Sequence, residues 1–251
     1  MELPEPLLSA VKKLFDGHHP YWHLARVQES EMPNASARAA WKAARQMFPT
    51  LKFRDEPGAG AEFLTFHRDM MREYKWLLEQ FPDVKISYQP WTSIPDDVAN
   101  FIEKNFNVSA GHVNAGSKEI DKLIKSGSLD ELGAFMEPCP DDNQEFGAGL
   151  HDLAHGAVSY IEEGNGLARD FSMGSPSTAH RNKVFYQLHG WIDECYAAWQ
   201  TAHNQSPDTT PKAPGEHGGH VMGHAPTDEK MLKDAIETVD TILRFERAWK
   251  R

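Results

Sequence analysis

Residues 184–200 read VFYQLHGWIDECYAAWQ, with apolar side chains recurring every three or four residues and His189 set among them. That period marks an amphipathic helix, because 3.6 residues per turn bring positions i, i+3, i+4 and i+7 onto one face. Phe185 lies one turn before His189 and Asp193 one turn after it. A stripe of this kind ordinarily buries apolar groups, so a histidine and a carboxylate on it need a partner inside the fold.

The same period runs through residues 62–81, 146–163, 180–202 and 228–249, and shorter helices are expected near 5–15, 35–47, 96–105 and 117–136. Pro226 and Thr227 precede Asp228 and Glu229, which suit the first turn of the last helix, and Leu232, Ile236, Val239, Leu243 and Trp249 form its inward face. Strand-like alternation is scarce beyond 85–88. The reading is a mainly α-helical protein with a four-helix core and irregular connections, folded as one domain over residues 1–251. Within it, residues 204–226, NQSPDTTPKAPGEHGGHVMGHAP, are rich in Pro, Gly and His and are expected to form a flexible loop.

At 251 residues and 40% hydrophobic content the chain can fill a sizeable core. Its 26 Lys plus Arg against 37 Asp plus Glu give a net charge of −11, which argues against nucleic-acid or anionic-membrane partners and for a small-molecule substrate. No apolar run approaches the roughly 20 residues that span a bilayer, and the N-terminal stretch lacks the pattern of an export signal. A soluble protein is expected, cytoplasmic or the mature form of an exported one. Cys139 and Cys195 are too few for a zinc ribbon and too far apart for a CxxC pair, so buried free thiols are expected, with a single disulfide as the alternative.

Thirteen histidines are many for this length. In LHDLAHGAV, residues 150–158, His151 and His155 are four apart on a predicted helix, so both imidazoles leave one face and can share a metal. His189 supplies a third imidazole from another helix. A fourth segment, EFLTFHRDMMREY at residues 62–74, sets His67 between aromatic and apolar residues.

Together these segments resemble the type-3 copper proteins, the family of tyrosinases, catechol oxidases and molluscan haemocyanins. EFLTFHR is similar to that family's FLPWHR, which carries a ligand of its first copper. LHDLAH is similar to its HNxxH pair, and VFYQLHGWIDECYAAWQ to DPxFxxHHxxxDxxWxxW, which together complete the second copper. The resemblance covers roughly residues 60–202. It implies a helical bundle presenting histidines to copper, with dioxygen as co-substrate. Carried onto this chain, it implies His67, His151, His155 and His189 as ligands and Phe185 as the aromatic residue that shields the centre. Asp152 stands where the family commonly has Asn and is expected to orient an imidazole or accept a proton; Asp193 is expected behind His189. Leu188 replaces the first histidine of the HH pair, and Lys75 a usual glutamate.

No histidine occurs between His23 and His67, the interval where the family places its other first-copper ligands. The expectation is therefore copper, one or two ions, with a mononuclear or depleted site. Candidates for the missing ligands are His18, His19 and His23 in HHPYWH, His112 in SAGHVNAG, and His217, His220, Met222 and His224 in EHGGHVMGH. His180 and His203, at the two ends of the His189 helix, are placed outside the site. The functional expectation is a copper-dependent oxidoreductase acting with dioxygen on a phenolic or related small substrate. The alternative is a copper-binding protein without turnover, for storage or delivery. A zinc hydrolase built on HDLAH is disfavoured, because Asp is one methylene shorter than the usual Glu base.

Overall fold

The computed structural model describes residues 2–86, 88–137 and 146–215. Among these the chain forms nine α-helices and no strand, and an isolated bridge pairs Glu2 with Asn182. The strand-like run at 85–88 is accordingly not a strand at its described positions. The helix expected at 228–249, Cys139 and His217, His220, Met222 and His224 lie outside the described residues.

In chain order the helices are α1 (Leu7–Phe15), α2 (His19–Ala25), α3 (Ala35–Met47), α4 (Ala59–Gln80), α5 (Asp96–Asn105), α6 (His112–Ser126), α7 (Leu129–Met136), α8 (Leu150–Gly164) and α9 (Lys183–Ala202). The stretch 117–136, expected as one helix, is two. Gly127 closes α6 by donating to Leu123 O, and Ser128 opens α7 with a reciprocal capping box to Glu131. Asn182 starts α9 with a simple N-cap, its side chain accepting from Val184 N–H at 2.9 Å.

Helix α2 has no counterpart in the sequence reading. All seven of its residues are buried. A helix surrounded by protein on every side carries no apolar–polar period, so HPYWHLA gives no helical signal beyond Pro20 in its first turn.

The 22-residue α4 is the spine, about 33 Å long at 1.5 Å per residue. Its first turn is held by the Asp130 carboxylate at the start of α7, which accepts from Gly58 N–H at 2.7 Å and Gly60 N–H at 2.9 Å. There α4 and α7 touch backbone to backbone: a Cβ on Gly133 would stand 1.9 Å from Gly60 O. Further along, Arg68 clamps α4 to α9. It donates to the Asp193 carboxylate at 2.5 Å and to Asp193 O at 2.9 Å, and its guanidinium lies 3.8 Å from the Tyr196 ring centroid. Lys75 completes this clamp, 3.4 Å from Asp193. Residues 204–215 run without helix along α4, where Arg72 donates to Thr210 O at 2.8 Å and Lys212 N–H to Arg72 O at 3.2 Å.

No helix among the described residues is long and apolar enough to cross a membrane. Cys195 is a buried free thiol.

Candidate metal centre

Four helices meet with their histidines facing inward. Helix α2 contributes His19 and His23, α4 contributes His67, α8 contributes His151 and His155, and α9 contributes His189. All six are at most 2% exposed. On α2 and α8 the pairs are four residues apart, one helical turn, so each pair leaves a single face. Among the described residues, the ligand atoms of His19, His23 and His67 lie within 4.8 Å of one another, and so do those of His67, His151 and His189. The His155 ring sits 4.6 Å from His151 and 5.2 Å from His189, centroid to centroid.

The hydrogen bonds at the backs of the rings fix which nitrogen is offered to the centre. His19 Nδ1 donates to Pro176 O at 2.8 Å, His67 Nδ1 to Phe63 O at 2.9 Å, His155 Nδ1 to Met173 O at 2.8 Å and His189 Nδ1 to Phe185 O at 2.8 Å. A carbonyl oxygen can only accept, so all four imidazoles carry hydrogen on Nδ1 and present a bare Nε2 lone pair. His151 Nδ1 is 2.7 Å from the Asp152 carboxyl group, itself 3% exposed.

The Nε2 atoms then converge: His151 and His189 approach to 3.2 Å, and His19 and His23 to 3.1 Å. His67 Nε2 is buried with no hydrogen-bond partner. Inward-facing lone pairs at this spacing repel unless a proton or a cation lies among them. Buried polar atoms of this kind are the exception in folded proteins and call for a specific explanation. A metal ion provides one, and the tethering of Nδ1 to a carbonyl or carboxylate is the usual support of a ligating imidazole.

The electrostatics agree. Burial pushes the His67 imidazole down to about 3 and His155 to about 4. His19, His23, His151 and His189 are held well below the ordinary histidine value by burial first and by neighbouring histidines second. All six are neutral near pH 7, the form that binds metal. Burial raises the Asp152 carboxyl well above the usual carboxylate range.

Phe185 is fully buried between the two groups, its ring stacked 3.9 Å from His189 and edge-on 5.3 Å from His19. Asp193 points away from the imidazoles into the Arg68 and Lys75 clamp. Through that clamp it fixes the register of α4 against α9, in which His67 and His189 stack at 4.6 Å.

The interval between His23 and His67 holds no histidine, and the two that complete the cluster of six come from α2, ahead of it. His112, another candidate, is used elsewhere: its Nε2 donates to Ala148 O at 2.9 Å and its Nδ1 accepts from Gly147 N–H at 3.2 Å, fastening the turn before α8. His18 packs against Phe48 and Phe66. Met71 lies in the hydrophobic core. His203 caps the end of α9 and bonds Trp199 O. His180 differs from its expectation. It is fully buried in a 3-10 turn, Ala179–Arg181, with Nδ1 3.3 Å from His19 Nδ1 and Nε2 2.7 Å from Asp16. His180 stands at the edge of the stretch read as the 180–202 helix, which begins only at Lys183, and nothing in the sequence signals that contact.

Two curated relatives share part of the chain. The hemocyanin D chain of Aphonopelma sp. is 33% identical over 86 residues, 33% of this chain and 14% of its own length. The hemocyanin F chain of the same organism is 27% identical over 108 residues, 41% of this chain and 17% of its own length. The chain thus matches only a small part of these much longer relatives. No model of a known protein family matches it.

Proposed function

We propose that this protein holds two copper ions, one at His19, His23 and His67 and the other at His151, His155 and His189, and is an oxidoreductase using dioxygen on a small phenol-like substrate. The observation that carries the reading is the convergence of six buried, neutral imidazoles from four helices, four of them locked with Nε2 inward by backbone carbonyls. Imidazole suits copper among several transition metals. The motif resemblance to type-3 copper proteins, and partial relatives that bear the hemocyanin name, favour copper over the others. When bound, a copper pair would supply two one-electron redox centres for reaction with dioxygen.

The residues around the imidazoles then have assignable work. Asp152 orients His151 by its bond to Nδ1, and Phe185, packed against a ring of each trio, fills the space between them and keeps water out of it. The Asp193 clamp holds the two helices that each contribute one ligand.

A second reading, copper held without turnover, is favoured by one feature: every ligand ring is nearly or fully buried, and Phe185 is too. Elemental analysis of copper-reconstituted protein, with electron paramagnetic resonance of the oxidised form and oxygen uptake on phenols, catechols and aminophenols, separates these outcomes. Two coppers per chain, no resonance signal and substrate-dependent oxygen uptake are expected. Two coppers without uptake would leave the second reading; one copper with full signal would refute the dinuclear centre. Asp152→Ala is expected to weaken copper binding by about 10- to 100-fold, the usual effect of losing a partner behind a ligand.

A further inference from the structure

The loop between α8 and α9 is irregular yet buried. Residues 172–177 are all buried, and Met173 is fully so. Irregular backbone normally stays at the surface, where water satisfies its polar groups. Here two of its carbonyls accept from imidazoles instead, and the two belong to different trios. Met173 O takes the His155 Nδ1 hydrogen at 2.8 Å, and Pro176 O, three residues on, takes that of His19 at 2.8 Å.

The loop is also closed on itself and tied down at one place. Thr178 Oγ1 donates to Ser172 O at 2.8 Å, joining its ends. Ser172 Oγ donates to Glu163 at 2.6 Å, stands 2.7 Å from Ser159 Oγ and accepts from Gly174 N–H at 3.1 Å. Ser159 lies on α8 one turn beyond His155, on the same face. Gly174 rests directly on it: a Cβ there would come 2.6 Å from Ser159 Oγ and 3.2 Å from Ser159 Cβ.

We infer that residues 172–178 form one positioning strap that sets the imidazole orientation in both trios at once, with Ser159, Ser172 and Gly174 as the positioning residues that seat it. For its metal arm the inference rests on the two-trio copper centre proposed above. Its distinctive consequence is coupling: a disturbance at Gly174, beside His155, reaches His19 on a helix at the other end of the sequence. His67 and His189 are excluded from the effect, since their acceptors, Phe63 O and Phe185 O, lie in their own helices.

The test begins with the metal-free full chain, so that it does not depend on copper. The imidazole Nδ1–H resonances are assigned by nitrogen-edited magnetic resonance in wild type, Gly174→Ala, Ser159→Ala and the double variant. Gly174→Ala is expected to shift or exchange-broaden the His19 and His155 signals together, with those of His67 and His189 unmoved. Removing the Ser159 hydroxyl relieves the 2.6 Å collision, so the double variant should lie closer to wild type than Gly174→Ala does, a non-additivity that simple destabilisation does not produce. Copper retention against graded Cu(I) chelator follows. Both coppers of Gly174→Ala should leave at about tenfold lower chelator than in wild type.

Movement of only one of the two signals, or of neither, in a variant whose circular dichroism is native would overturn the strap. So would loss of one copper with the other held at wild-type strength. If Gly174→Ala does not fold, Ser159→Ala carries the test with the same two signals. A wild-type chain that takes up no copper would instead defeat the copper reading and leave the resonance result to stand on its own.

Discussion

Replacing Glu137 by glutamine is expected to be among the most damaging single-atom changes available in this protein. Arg26, at the end of α2, has a side chain with no exposure, and its charge is met by Glu137, whose side chain is 6% exposed. The guanidinium also donates to Ala59 O at 2.8 Å and lies 4.4 Å above the Trp22 ring, so one side chain joins α2, α4 and the end of α7. Burial lowers the Arg26 pKa, Glu137 works against that, and a second guanidinium, Arg54, adds to it. Glutamine keeps the shape and one hydrogen bond but leaves a buried cation without its counter-charge. Breaking such a pair from one side costs about 3–5 kcal/mol. In a chain of this size that corresponds to a melting temperature lower by roughly 6–20 °C.

The assay is urea unfolding of the metal-free protein followed by circular dichroism, comparing midpoints at unchanged slope. The partner experiment replaces both members, Arg26→Met with Glu137→Leu, and is expected to return most of the loss, because two apolar side chains need no compensation. A loss below about 1 kcal/mol for Glu137→Gln, the level of a surface ion pair, would refute the reasoning. Since α2 carries His19 and His23, the single variant should also bind metal more weakly, while the double variant should recover.

Three further outcomes follow from the same geometry. Gly133→Ala should destabilise the chain by about 3 kcal/mol or more, because its Cβ meets the Gly60 carbonyl rather than a movable side chain; a melting temperature within 2 °C of wild type, on the order of 1 kcal/mol, would contradict the backbone contact. The metal-free protein should lose stability as pH falls from about 6.5. The folded values of His155 and His67 lie near 4 and 3, so between those values and 6.5 the unfolded chain binds more protons. Urea midpoints that coincide at pH 7 and pH 5 would remove that account. Finally, burial pushes the Cys195 thiol up to about 12, so in a Cys139→Ser background it should ignore a thiol reagent at pH 8 until the protein is unfolded, and rapid labelling of native protein would show the α9 face to be open.

Much of the helical frame was legible because α4 and α9 alternate buried with more exposed positions, which writes a period into the sequence, while α8, buried throughout residues 150–159, showed itself by its length and apolar spacing. His151 and His155 announced themselves by their spacing on such a helix, and His189 by interrupting an otherwise apolar stripe. The same logic hid α2, whose residues are buried on every side and so show no period; its two histidines looked like members of a short HHPYWH cluster rather than a pair facing the other imidazoles. The split between α6 and α7 was missed because Gly127 and Ser128 are small residues within an otherwise helical run, and only the capping box reveals the break. The acceptors behind the rings were out of reach for a different reason. Four of them are main-chain carbonyls, and a carbonyl belongs to every residue type alike. Asp193 illustrates the remaining limit: its position one turn from His189 was visible, but its partner, Arg68, is 125 residues away.

The bond between His19 and Pro176 spans 157 residues of chain. On the ribosome, where synthesis runs from the N-terminus, His19 and His23 emerge first and wait through most of the chain before the carbonyl that aims His19 exists. Neither half of the centre can be finished before the 172–178 segment has been made. A nascent chain that has not reached this segment lacks the acceptors of His19 and His155, while His67 is already aimed from within its own helix.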